Sequence, residues 1–330
     1  MILHPGIIAL LVSSGLIGFL AIYASVYGIL ILRKWNIASG SSLQLDLERR
    51  TYLISTILSY VFAFQLLSLF LFVYTADSLC PLFVGAMCAA GTLNVNAFGY
   101  PVLVLKIVNF LLAGLWLIVN TADSRAEDYP LIRKKYALLL IITPLLVLET
   151  VLEVLYAQGL NPDVITSCCG SLFSSSSRGV ASDLAALPAR TVEIAFTLSL
   201  VLVLAIGTYF FLRGKGGSFV ALFSAATFLT GILALISFIG PYVYELPSHH
   251  CPFCVLQPEY HRIGYLLYAS LLGGAVTGLG VGVLMPFRRI PSLIRVVPAL
   301  QKHLSLAAVL FFAVFGVTTL VSVLSSNLRL

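Results

Sequence analysis

The sequence predicts an all-α polytopic membrane helix bundle of about eight transmembrane helices with both termini extracytoplasmic, and three observations carry that prediction. Of its 330 residues, 60% are hydrophobic and 10% are charged, against roughly 45–50% and 25% in soluble domains. The mean hydropathy is +1.04, more apolar surface than a water-soluble fold hides. Eight stretches reach the roughly 20 apolar residues needed to cross about 30 Å of hydrocarbon.

These stretches run over about 5–32, 51–75, 100–122, 137–158, 191–212, 217–244, 263–287 and 304–326. Their length and unbroken apolarity predict helices, because strands of a membrane barrel are shorter and alternate. The first stretch has no basic leader and is too long for a secretory core, so it is expected to stay as a span. Pro144 and Gly231 fall inside spans, as membrane helices tolerate. Gly273, Gly274, Gly278, Gly280 and Gly282 crowd the seventh, where the Gly274/Gly278 spacing predicts close packing on a neighbour.

Orientation follows from Lys and Arg. Loops after the odd-numbered spans hold Arg33, Lys34, Arg49, Arg50, Arg125, Arg133, Lys134, Lys135, Arg213, Lys215, Arg288, Arg289, Arg295 and Lys302, fourteen of nineteen cations. Only Arg178, Arg190, Arg262, Arg329 and the span residue Lys106 lie elsewhere. The positive-inside rule therefore sets both termini outside the cytoplasm and suggests a bacterial cytoplasmic (inner) membrane. The net charge of +6 is accounted for by topology, and no nucleic acid partner is expected. The chain is expected to form a single integral domain, 1–330, with the lipid bilayer as its first partner.

Three outward loops, 76–99, 159–190 and 245–262, each carry one cysteine pair: Cys80 with Cys88, Cys168 with Cys169, and Cys251 with Cys254. Ordinary buried cysteines would scatter through the spans. An oxidising outer compartment permits disulfides, so static staples are one reading. The spacings favour exchange. Cys251-Pro-Phe-Cys254 closes a small ring expected at the start of a helix, the usual geometry of reversible dithiols. A Cys168–Cys169 bond would need a strained eight-membered ring, and strain makes a disulfide easier to reduce. The second loop also carries a Ser174–Ser177 tract that suggests mobility.

His249, His250 and His261 flank the C-x-x-C. They suit loop hydrogen bonding, activation of a thiol, or a copper- or zinc-type site with Cys251 and Cys254. A second ligand pair at zinc-finger spacing is missing from that loop. Val255 after Cys254 excludes the haem-attachment motif, and no phosphate-binding loop is present. Within the spans, Glu149 and Glu153 share one helix face, with Lys106 and Glu193 expected at similar depth. A buried ion pair or a proton relay fits them.

The first loop resembles that of the vitamin K epoxide reductase group, membrane thiol oxidoreductases related in mechanism to the DsbB group. The matching positions are Cys80 and Cys88, Thr92, Gly99-Tyr100-Pro101, and later Cys251 with Cys254, over about fifty residues. Eight spans instead of four or five, the extra Cys168–Cys169 pair and a His-rich setting for the C-x-x-C depart from that pattern. The resemblance implies a thiol-disulfide oxidoreductase with no covalent cofactor. Cys251 and Cys254 would face a quinone, Cys80 and Cys88 would shuttle electrons, and an extracytoplasmic thioredoxin-like protein would be the partner. Two other classes stay open: a soft-metal permease that passes an ion from outer Cys and His ligands to Glu149, Glu153 and Asn109, and a structural subunit of a larger membrane complex.

Overall fold

A computed structural model describes residues 2–37, 39–166 and 188–328, so the Cys168–Cys169 pair and the Ser174–Ser177 tract lie outside the described residues. The described chain is all α, without a strand. Eight of its helices are long and apolar enough to cross a membrane. Their outer faces expose large apolar side chains such as Phe19, Tyr60, Leu212 and Leu310, which is the pattern of a bundle solvated by lipid rather than water.

The helices are α1 (Pro5–Lys34), α2 (Ser42–Leu79), the short α3 (Ala89–Leu93), α4 (Gly99–Asp123), α5 (Ile132–Gln158), α6 (Ala189–Arg213), α7 (Gly217–Ala234), α8 (Gly240–Tyr244), α9 (Ile263–Val283) and α10 (Val296–Ser325). Three start well before the apolar runs predict: α2, α5 and α10. The first turns of α2 are polar and held by an Asp46–Arg50 pair at 2.8 Å, one helical turn apart, so the helix continues past its apolar part. Lys135, expected in a loop, is buried near the start of α5 and pairs with Asp123 at 2.7 Å. Asp123 also accepts from the Leu131 amide, so one carboxylate holds the chain entering α5 and neutralises its lysine.

The described chain packs as two compact units. The first comprises 1–75, 96–160 and 286–300. In it α1 and α4 pack on α5. Phe62 of α2 meets Trp116 edge-on at 4.9 Å, and Trp116 donates its indole hydrogen to the Lys135 carbonyl. Ser25 and Thr143 join α1 to α5 at 2.7 Å.

The second unit comprises the described residues of 76–95, 161–285 and 301–330 and holds all four described cysteines. Here α7 packs between α6 and α9. The glycines of α9 set that approach: a Cβ on Gly278 would strike Ser224 of α7, and one on Gly274 would lie 2.9 Å from the Phe312 ring of α10. The spacing therefore serves two neighbours. A π-helical turn, Leu235–Ile239, links α7 to α8. Pro241 has no amide hydrogen to give the Ile236 carbonyl five residues back.

Candidate functional site: a buried thiol cluster

Both cysteine segments of the second unit are shaped by local backbone chemistry. Cys80 begins a 3-10 turn, Cys80–Leu82, as α2 ends, with Pro81 fixing the second position. Gly85 adopts φ +88°, and the amide of Thr166 donates to the Val84 carbonyl at 3.0 Å beside it. A Cβ at Gly85 would meet the Thr166 carbonyl oxygen at 2.5 Å, so only glycine fits that bend. Cys88 then caps α3 in an extended conformation. The Asp77 carboxylate accepts from the Ala89 amide at 3.2 Å, occupying a donor that α3 leaves open at its start. All five residues of α3 are buried, with Thr92 among them.

The C-x-x-C does not begin a long helix, as the sequence led one to expect. Cys254 starts a 3-10 turn of three residues, Cys254–Leu256, and α9 begins only at Ile263. Pro258 forces Gln257 into an extended conformation (ψ 154°), and His261 and Arg262 follow with positive φ, so a continuous helix is blocked. The polar loop nevertheless buries its thiols: Cys251 is 0% exposed and Cys254 5%. Tyr244 donates to the Cys251 carbonyl and Tyr268 to the Pro252 carbonyl, each at 2.6 Å. Two hydroxyls thus fix consecutive carbonyls of the C-x-x-C turn.

These segments converge. The Sγ atoms of Cys88 and Cys251 lie 3.6 Å apart, and the sulfurs of Cys88, Cys251 and Cys254 all fall within 4.8 Å of one another. The Gln257 side-chain amide donates to the Met87 carbonyl at 2.5 Å, clamping the C-x-x-C segment to the residue before Cys88. Cys80 is half-buried.

The histidines separate in role. His249 places Nε2 3.3 Å from Cys254 Sγ, and burial lowers its pKa below the usual value, which keeps the imidazole neutral near pH 7. His250 points Nδ1 at the Ile236 carbonyl, 3.0 Å away. A carbonyl only accepts, so the proton sits on Nδ1 and the ring serves the acceptor that Pro241 leaves open. His261 is exposed at a positive-φ position. Of the proposed imidazole and thiol ligands, Cys251 and Cys254 are therefore grouped, with Cys88 beside them; His249 lies against Cys254, and His250 and His261 are placed otherwise.

The intramembrane acids form a separate network in the first unit. Lys106 lies 2.8 Å from Glu149 and 3.4 Å from Glu153, all three fully buried. Glu149 also accepts from Gln65 (2.9 Å) and Asn109 (2.6 Å), and Lys106 donates to Ser68. This is the ion-pair arrangement, with every oxygen of Glu149 engaged. Glu193, expected at similar depth, is exposed on α6.

Sequence reasoning missed Tyr244, Tyr268, Gln257 and Asp77. Nothing in their spacing marks them among 15 tyrosines and the polar residues of loops, since each acts through a backbone group brought close only by folding. No family model matches the chain, and no curated protein or solved structure matches it either, so the site's own geometry is the basis for its function.

Proposed function

We propose that the chain is a membrane thiol-disulfide oxidoreductase that passes electrons between an extracytoplasmic dithiol partner and a quinone or another membrane carrier. One observation carries this reading: Cys88 and Cys251, 163 positions apart in sequence, bring their buried sulfurs to 3.6 Å. That separation is near sulfur–sulfur van der Waals contact, so exchange needs a side-chain movement of under about 2 Å to reach the bonded distance of roughly 2.05 Å. Static staples would require Cys80–Cys88 and Cys251–Cys254 each to be closed for good, and would give no reason for a third sulfur to lie against the second pair.

The steps balance as two-electron exchanges. The Cys88 thiolate attacks Cys251 of a Cys251–Cys254 disulfide, forming Cys88–Cys251 and releasing Cys254 as a thiolate. His249 is the group positioned to exchange a proton with that sulfur. Cys80 then attacks Cys88, closing Cys80–Cys88 and leaving Cys251 and Cys254 reduced. A quinone would accept two electrons and two protons from this dithiol, and a partner dithiol would reduce Cys80–Cys88 again. Running every step backwards gives the opposite net flow. The Lys106–Glu149–Glu153 network takes a structural part in this reading.

The test is the double Cys80→Ser, Cys254→Ser variant. With both resolving thiols gone, oxidation by oxidised glutathione leaves Cys251 bonded to Cys88, and peptide mapping without reductant finds the Cys88–Cys251 disulfide. In the wild type, mass-tagged alkylation across glutathione poises finds pairs that titrate between about −120 and −270 mV. Pairs that stay oxidised below roughly −300 mV, with no trapped Cys88–Cys251 bond, would overturn the assignment.

A further inference from the structure

We propose that the fully reduced cluster binds one Zn2+ ion through Cys88, Cys251 and Cys254, with His249 as the fourth ligand, and that the bound ion arrests the thiol relay. The inference rests on the cysteines being reducible, as in the function proposed above.

The three sulfurs already stand near the spacing the ion needs, and His249 lies against one of them. Tetrahedral zinc with Zn–S bonds of about 2.3 Å holds its sulfurs about 3.8 Å apart, and an imidazole nitrogen at about 2.0 Å sits roughly 3.5 Å from each sulfur. Cys88 and Cys251 are 3.6 Å apart, the third sulfur lies within 4.8 Å of both, and His249 Nε2 is 3.3 Å from Cys254. The three sulfurs lie mutually within 4.8 Å, so the side chain that must rotate to complete the set is His249, toward Cys88 and Cys251. The three sulfurs form one face, and His249 reaches it from the side of Cys254.

Charge supports the same assignment. The three thiols give up their protons on binding, and three thiolates in so buried a place would be costly without a cation. Zinc reduces that local charge from −3 to −1 and leaves every sulfur's attacking lone pair engaged. Cys251 can then neither be attacked by Cys88 nor close on Cys254. Zinc carries no redox change, so it acts as a reversible block and oxidises nothing. Tyr244 and Tyr268, holding the Cys251 and Pro252 carbonyls, fix the turn from which two of the ligands project.

The experiment uses the full-length protein in detergent, reduced with a phosphine and desalted without oxygen. Alkylation of an aliquot first counts the accessible thiols. Co2+ is then added as a spectroscopic probe and displaced with Zn2+. The expected result is one equivalent of Co2+ with thiolate-to-cobalt charge-transfer absorption, displacement by Zn2+, and protection of Cys88, Cys251 and Cys254 from alkylation while Cys80 still reacts. Cys88→Ser weakens binding at least about tenfold. Cys80→Ser and the double Cys168→Ser, Cys169→Ser variant retain it, which keeps the result independent of any one variant's folding. In Cys80→Ser, which keeps all four ligands, one equivalent of Zn2+ stops oxidised glutathione from closing a disulfide among Cys88, Cys251 and Cys254, and a chelator restores closure. Thiols that reduce fully yet take up no stoichiometric metal overturn this proposal alone, as does uptake unchanged by Cys88→Ser. Thiols that cannot be reduced at all overturn both it and the oxidoreductase reading.

Discussion

Tyr244 and Tyr268 show how much of the thiol geometry depends on single hydroxyls. Each donates at 2.6 Å to a carbonyl of the C-x-x-C turn, and neither carbonyl belongs to a regular helix. Removing the hydroxyl while keeping the ring leaves a buried acceptor unserved, at a cost of about 1–3 kcal/mol. Tyr244→Phe is therefore expected to lower the unfolding midpoint in detergent. In the Cys80→Ser, Cys254→Ser background it should also reduce the yield of trapped Cys88–Cys251 disulfide, because the Cys251 sulfur is no longer held against Cys88. Val255→Ala, a truncation at a buried neighbour that donates no side-chain hydrogen bond, serves as the control. An equal loss of trapping in both variants would mean that packing alone aligns the sulfurs.

At the scale of elements, α2, α4 and α5 share one buried charge network, and its members are unequal. Glu149 is engaged by Lys106, Gln65 and Asn109, whereas Glu153 meets Lys106 only at 3.4 Å. Lys106→Met leaves two buried carboxylates without their cation and is expected to cost about 3–5 kcal/mol, while a triple variant with Glu149→Gln and Glu153→Gln recovers much of that, since replacing a whole buried ionic set is far cheaper than breaking it. Thermal unfolding of both variants in one detergent decides the point; equal destabilisation would show that the charges do not act as a set. This network was partly legible in sequence. The spacing of Glu149 and Glu153 put them on one face of α5, and Lys106 was the obvious cation, but Glu193 falls on an exposed face of α6, because depth along a helix says nothing about azimuth until the neighbours are known. The eight helices were legible because apolar length is a local property. The ends of α2 and α5 were not, because polar turns continue a helix as readily as they end one. The grouping of Cys88 with the C-x-x-C had only the paired spacing to announce it. The placement of Gln257 against Met87 and of His250 against Ile236 depends on a proline-broken helix and a π turn that no periodicity records.

Across the whole molecule, the charge distribution and the thiol chemistry make one linked demand. Fourteen of nineteen cations fall in the regions after odd-numbered spans, and the positive-inside rule predicts Cys80, Cys88, Cys251 and Cys254 on the opposite side, the oxidising side that the proposed thiol relay requires. Lys135 is discounted from that tally because it is buried against Asp123, yet thirteen cations still give the same sign. The prediction is tested in intact cells with a membrane-impermeant maleimide. In a variant with every cysteine but Cys80 replaced, the half-buried Cys80 is expected to react from outside. In a variant with no native cysteine and Ser41→Cys at the exposed start of α2, labelling is expected only after the membrane is permeabilised. Labelling of the Ser41→Cys variant from outside would invert the chain. It would place the thiol cluster in a reducing compartment, where Cys88, Cys251 and Cys254 would stand as thiols and a bound metal ion, rather than a relayed disulfide, would be their resting state.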